Sequence, residues 1–162
     1  MRVTTNNFLN QLKADIEDKL KNFDFKDKTG KKAKIKGYVQ ALPVLNTRAS
    51  IGNVAESENT EFPFFVVRLS DSKIGNGRNI LNIYVLLALF DDDKNQKGYE
   101  TLINCLDELV CSYQQFNVLG AYTCDDEMEI MLQEDDSFPQ FYGGITMQWW
   151  TKSAEREIPG WE

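Results

Sequence analysis

Two stretches of this chain are apolar on both of the sides that a β-strand presents, and this limits its folds more than any other feature. In 62–69 one side carries Phe62, Phe64, Val66 and Arg68, and the other carries Pro63, Phe65, Val67 and Leu69. The run 80–90 is apolar on both sides almost throughout, with Asn82 its only strongly polar side chain. A strand with one wet face alternates apolar and polar residues, so these runs call for cover on both faces. Gly75-Asn76-Gly77 lies between them, and the pair reads as a β-hairpin with a longish loop.

Around this hairpin the pattern changes from period two to period 3.6. Phe8, Leu9, Leu12, Ile16 and Leu20 recur at helical spacing and predict an amphipathic helix over 5–22, with Thr4, Thr5 and Asn6 as acceptable N-caps. Tyr99, Leu102, Ile103, Leu106, Leu109, Val110 and Tyr113 predict a second helix that opens near Asn95. Further strands are expected at 37–45, where Pro43 confines the strand to an edge, at 127–133 and at 141–151. Ser137-Phe138-Pro139 separates the last two. In 141–151, Ile145, Met147 and Trp149 share one side, while Tyr142 and Trp150 take the other. A polar loop at 46–61 reads as flexible, and 153–162 as a loose tail.

The element order is αβββαββ. It predicts a single α+β domain over 1–162, with a mainly antiparallel or mixed sheet of about four to five strands flanked by two main helices. Two helices can cover both sheet faces only from opposite sides. Otherwise the second face packs against a neighbouring subunit, and a homo-oligomer is the preferred expectation.

Chemistry is constrained by absence. There is no histidine, so Ser-His-Asp and Cys-His nucleophile systems and mixed Cys/His zinc sites are excluded. The three cysteines, Cys105, Cys111 and Cys124, form no CxxC and read as free thiols. Asp91-Asp92-Asp93 is a weak metal motif, because side chains of successive residues diverge at a strand end. Gly75-Asn76-Gly77 lacks the length and the lysine of a phosphate loop. No catalytic residue, cofactor or metal is expected. No apolar run reaches the roughly 18–20 residues that span a bilayer, so no membrane partner is expected.

The net charge is −7, which disfavours a free-standing nucleic-acid binder. Charge is also segregated. The segment 26–36 holds six lysines, and 125–136 holds seven acidic residues and no basic one. Each reads first as a solvated face, and together they suit a complementary contact between copies of the chain.

Three local signatures carry a resemblance. They are the Pro-led strand Phe62-Pro63-Phe64-Phe65-Val66-Val67-Arg68-Leu69, the run Ile83–Phe90 followed by acidic residues and Gly98-Tyr99, and Phe138-Pro139-Gln140-Phe141-Tyr142-Gly143-Gly144 leading into Met147-Gln148-Trp149-Trp150. In this order the chain resembles the tail terminator, or tail-completion, proteins of long-tailed bacteriophages and prophages. The lysine-rich 26–36 segment is not part of that likeness.

The resemblance implies a non-enzymatic virion protein that forms a hexameric ring on the finished tail tube. There it stops tube polymerisation and offers the head its docking surface. The implied partners are further copies of the chain, the major tail tube protein and a head-completion or neck protein, with DNA passing through unbound. The implied location is the virion tail or neck, and the bacterial host cytoplasm during assembly. The alternatives are a head-completion or neck connector protein and, from another class, a small-ligand-binding regulatory α+β domain. Arg48, Asn53, Arg68, Lys31 and Lys32 are the expected partner contacts. Asp125, Asp126 and Glu127 are expected to line the channel, since an acidic or neutral wall lets duplex DNA slide.

Overall fold

The computed structural model describes residues 4–42 and 62–152. The expected 46–61 loop with Arg48 and Asn53, and the expected 153–162 tail, lie outside the described residues. The first helix, α1 (Thr5–Leu20), is followed by β1 (Phe25–Lys26), β2 (Lys32–Ala33), β3 (Lys36–Val39), β4 (Phe64–Gly75) and β5 (Arg78–Phe90). The second helix, α2 (Lys97–Gln115), leads into β6 (Val118–Leu119), β7 (Tyr122–Cys124), β8 (Glu129–Leu132) and β9 (Gln140–Lys152).

The class is α+β as expected, but among the described residues the sheet has nine strands rather than four or five. Three long antiparallel strands form its body, with β5 hydrogen-bonded to β4 on one side and to β9 on the other. The short strands line the margins. β3 runs parallel to β4, β8 and β7 pair with successive parts of β9, and β1 joins β5 beyond the end of β4.

The hairpin also departs from expectation. Its loop is not long: β4 continues through Gly75 and closes on Asn76-Gly77 alone, with φ of 52° and 76°. Both values lie in the left-handed region that Asn and Gly tolerate, which is what a two-residue turn between right-twisted strands requires. A bulge between Leu69 and Asp71 resets the register partway along the pair.

Both helices lie on one face of the sheet. Phe8, Leu12, Ile16 and Leu20 of α1 and Leu102, Cys105, Leu106, Leu109 and Tyr113 of α2 share one core with Phe65, Val67, Leu81, Ile83, Val85, Leu87, Ile145, Met147 and Trp149. Neither described helix covers the second face, so the alternative with one helix on each side does not hold. The amphipathic stripes fix which side of each helix is buried, but not which side of the sheet receives it. α1 starts where Thr4 Oγ1 accepts the backbone N–H of Asn7 at 3.1 Å, a side-chain cap. The helices also touch through Tyr113, whose hydroxyl donates to Asp15 at 2.6 Å. Burial and that carboxylate push the Tyr113 hydroxyl pKa far above its usual value.

The thiols differ sharply. Burial, assisted by Glu108, raises Cys105 to about 12, and burial with Asp125 raises Cys124 to about 12. Cys111 is exposed. Because the thiolate is the reactive species, titration of the native protein with a disulfide reagent at pH 8 is expected to release one fast equivalent, and denaturation two more. Two or three fast equivalents from the native protein would contradict this packing.

Candidate interaction face

The face of the sheet opposite the helices is a graded surface. Its rows follow from strand register, since side chains two apart share a side. At one end lies the row Phe64, Ala88 and Tyr142, followed by Val66, Leu86 and Gly144. Next come Arg68, Tyr84 and Thr146, then Asp71, Asn82 and Gln148. At the far end are Lys73, Ile80 and Trp150, with the Arg78 guanidinium 4.5 Å from the Trp150 ring centre. The face thus passes from aromatic to polar and back to aromatic.

At the aromatic end, Phe62, Phe64, Val66 and Ala88 form a second, smaller core separate from the one under the helices, with Tyr38, Phe90 and Tyr142 packed against it. The Phe62 and Phe64 rings lie 5.2 Å apart, and Tyr142 meets Phe62 edge-on at 6.3 Å. Beside this cluster opens a hollow of about 440 Å³, lined by Gln40, Leu42, Phe62, Phe64, Leu86 and Tyr142, with Arg68 at its rim. Tyr142 donates to Gln140 Oε1 at 2.9 Å, and burial raises its hydroxyl pKa as it does that of Tyr84. Gly144 is where the Tyr84 ring crosses β9; a Cβ there would run into that ring.

The polar middle is an ordered hydrogen-bond chain. Asn82 donates to Asp71, and its Oδ1 accepts from Gln148 Nε2 at 3.0 Å. A second hollow of about 440 Å³ lies beside it, lined in part by Asn82, Gln148, Asp125, Glu127 and Glu129. These groups hold a row of strands in register and build no nucleophile–base pair.

The expected contact residues separate. Arg68 lies on this face and is exposed. Lys31 and Lys32 are exposed on the β1–β2 hairpin, away from Arg68 in the sheet order, and Lys32 pairs with Asp24 at 3.1 Å. Asp125 is half-buried, its backbone N–H bonded to the Gln148 carbonyl, while Asp126 and Glu127 are exposed. Asp91 and Asp92 face Lys26 at 3.5 and 3.8 Å, and Asp91 also accepts the backbone N–H of Asp93. Their charge is spent on this lysine and a turn rather than on the start of α2, which begins at Lys97. Among the described residues no group of His, Cys, Asp or Glu is arranged to hold a metal ion, and no helix is long and apolar enough to cross a membrane.

Sequence reading overlooked one feature of this surface. β8 is a margin strand whose four residues are all exposed, the apolar Ile130, Met131 and Leu132 among them. The available signal was the acidic residues on both flanks. Compared with known proteins, the chain matches no family model and no curated sequence.

Proposed function

We propose that the chain is a non-enzymatic assembly protein of the bacteriophage tail, closing as a ring on the finished tube, halting tube growth and presenting the surface to which the head joins. One observation carries the reading. Both helices pack on a single side, and the three long strands keep a second face with an aromatic end, a hollow and half-exposed Ile80, Tyr84, Leu86 and Trp150. An aromatic cluster with an open hollow, on a sheet face that no described helix covers, is an association surface. In the ring this face packs against a neighbouring copy. The lack of histidine and the acidic balance are compatible with a structural part past which DNA slides. In this reading Asp125, Asp126 and Glu127 line the opening, and the lysines of 26–36 lie away from it.

The test is deletion of the coding segment from a prophage that carries it. The expected result is tubes of uncontrolled length and unjoined heads, restored by the wild-type chain. Complementation with the Asp125→Lys, Asp126→Lys, Glu127→Lys variant is expected to restore assembly but slow DNA ejection. Normal-length tails joined to heads without the chain overturn the reading. Normal-length tails with unjoined heads would favour a neck connector instead.

A further inference from the structure

The two margins of the sheet are opposite in charge. Across the middle of the molecule the order is β3, β4, β5, β9, β8. Among the described residues β3 pairs only with β4, and β8 only with β9. The outward row of β8 is open to pairing, whereas on β3 the Gly37 N–H donates to Glu17 of α1 at 3.4 Å and the Val39 carbonyl accepts the Ala41 N–H, so charge and the neighbouring hollow mark that margin more than a free ladder does. The β8 margin is apolar and acidic. Ile130, Met131 and Leu132 are 40%, 44% and 40% exposed, Glu129 lies in the strand itself, and Glu134 and Asp135 follow it, all exposed. None of these three carboxylates makes an ion pair with another described residue.

The other margin is basic. Lys31, Lys32, Lys34 and Lys36 are exposed along β2, β3 and the link between them. Asp24 offsets Lys32, and Asp27 is occupied by its own turn, where it binds Thr29 and the Lys31 N–H. The hollow of the second face opens beside this margin, with Tyr38 of β3 against Phe64 of β4. An exposed apolar margin strand is a liability in a monomer, since it invites pairing with another chain. Natural margins are blunted by lysine, and here the lysines sit on the opposite margin.

We propose that β8 of one copy docks against the β2–β3 margin of the next, with Glu129, Glu134 and Asp135 facing Lys31, Lys32 and Lys34. The contact is heterologous: different surfaces meet, so each copy keeps one free margin of each kind. Repetition of such a contact closes into a ring when the rotation between copies allows. The hollow beside β3 then receives apolar side chains from the neighbour's β8 strand. This deepens the ring reading above and rests on it for closure, while the contact itself stands on margin geometry and charge.

Two charge-reversed full-length chains test it. One carries Glu129→Lys, Glu134→Lys and Asp135→Lys; the other carries Lys31→Glu, Lys32→Glu and Lys34→Glu. All six positions are exposed, and circular dichroism checks that both variants fold. By sedimentation and native mass spectrometry at low salt, wild type is expected to associate. Each variant alone is expected to associate about a hundredfold more weakly. An equimolar mixture is expected to recover association with the two variants alternating, and ~0.5 M salt to weaken both wild type and mixture. Association that ignores the reversals, or a mixture no better than its parts, overturns the margin contact while leaving the ring in place. Wild type that stays monomeric up to millimolar concentration also overturns it, and the prophage deletion then judges the tail reading separately.

Discussion

Replacing Trp149 by Ala is expected to destabilise the chain by about 3–5 kcal/mol, the range for removing a large aromatic from a packed core. Trp149 has no exposed surface. Its ring lies 5.1 Å from Phe8 of α1 and 5.3 Å from Tyr113 of α2, and its indole N–H points at the sulfur of Met147 at 2.9 Å. One side chain of β9 thus touches both helices and its own strand. Since domains of this size are stable by only about 5–15 kcal/mol, the variant is expected to unfold at a much lower urea midpoint with an unchanged slope. A shift of less than about 1 kcal/mol would mean that the helices are held mainly by other contacts.

If the chain is the tail protein proposed above, Leu86→Lys is expected to leave the fold nearly intact and to keep the protein out of tails. Leu86 is half-buried on the second face and lines its hollow, between Val66 and Gly144. A lysine stem can lie along the same surface and carry its charge to water, so the cost to the isolated chain is about 1 kcal/mol. In an assembled interface that charge is desolvated without a partner, and the loss is that of a hot-spot residue, about 30-fold or more in association. The measurement is the amount of the chain in purified particles from a deletion strain, beside the thermal midpoint of the free protein. Normal incorporation of Leu86→Lys would place the second face outside the interface.

The sequence made the large elements legible for a simple reason. Long apolar runs and a 3.6-residue stripe leave few alternatives, and Phe64–Leu69, Ile80–Phe90, α1 and α2 lie where those patterns place them. The outer half of β4 was hidden, because Ser70–Gly75 is exposed, polar apart from Ile74 and Gly75, and has no pattern of its own. It is a strand because β5, braced along its whole length by β9, offers it a ladder. β1, β2, β6 and β7 span only two or three residues, too few for periodicity to show.

The candidate face was half legible. Phe64 and Val66 sharing a side with Arg68 was visible in the residues. That both helices would choose the other side was not, because this depends on how the connections cross the sheet. Ile130, Met131 and Leu132 look like core in any window. Only the placement of β8 at the margin, with no further described strand paired beyond it, turns them outward.

The pairing of β5 with β9 has a consequence for how the molecule is made. Every partner of β5 on that side, from Lys152 opposite Arg78 to Gln140 opposite Phe90, is synthesised after α2 is complete. As the nascent chain leaves the ribosome, α1 and the β4–β5 hairpin emerge early, yet Phe8 has neither Tyr122 nor Trp149 to stack on. Contacts between residues so distant in sequence form slowly and late. The growing chain therefore passes through a stage in which an apolar hairpin lacks its second neighbour, a species open to capture by other nascent chains or by a chaperone. Folding is completed only when the last strand slots in beside the first hairpin, so a ribosome stalled before Gln140 releases a sticky fragment rather than a smaller working part.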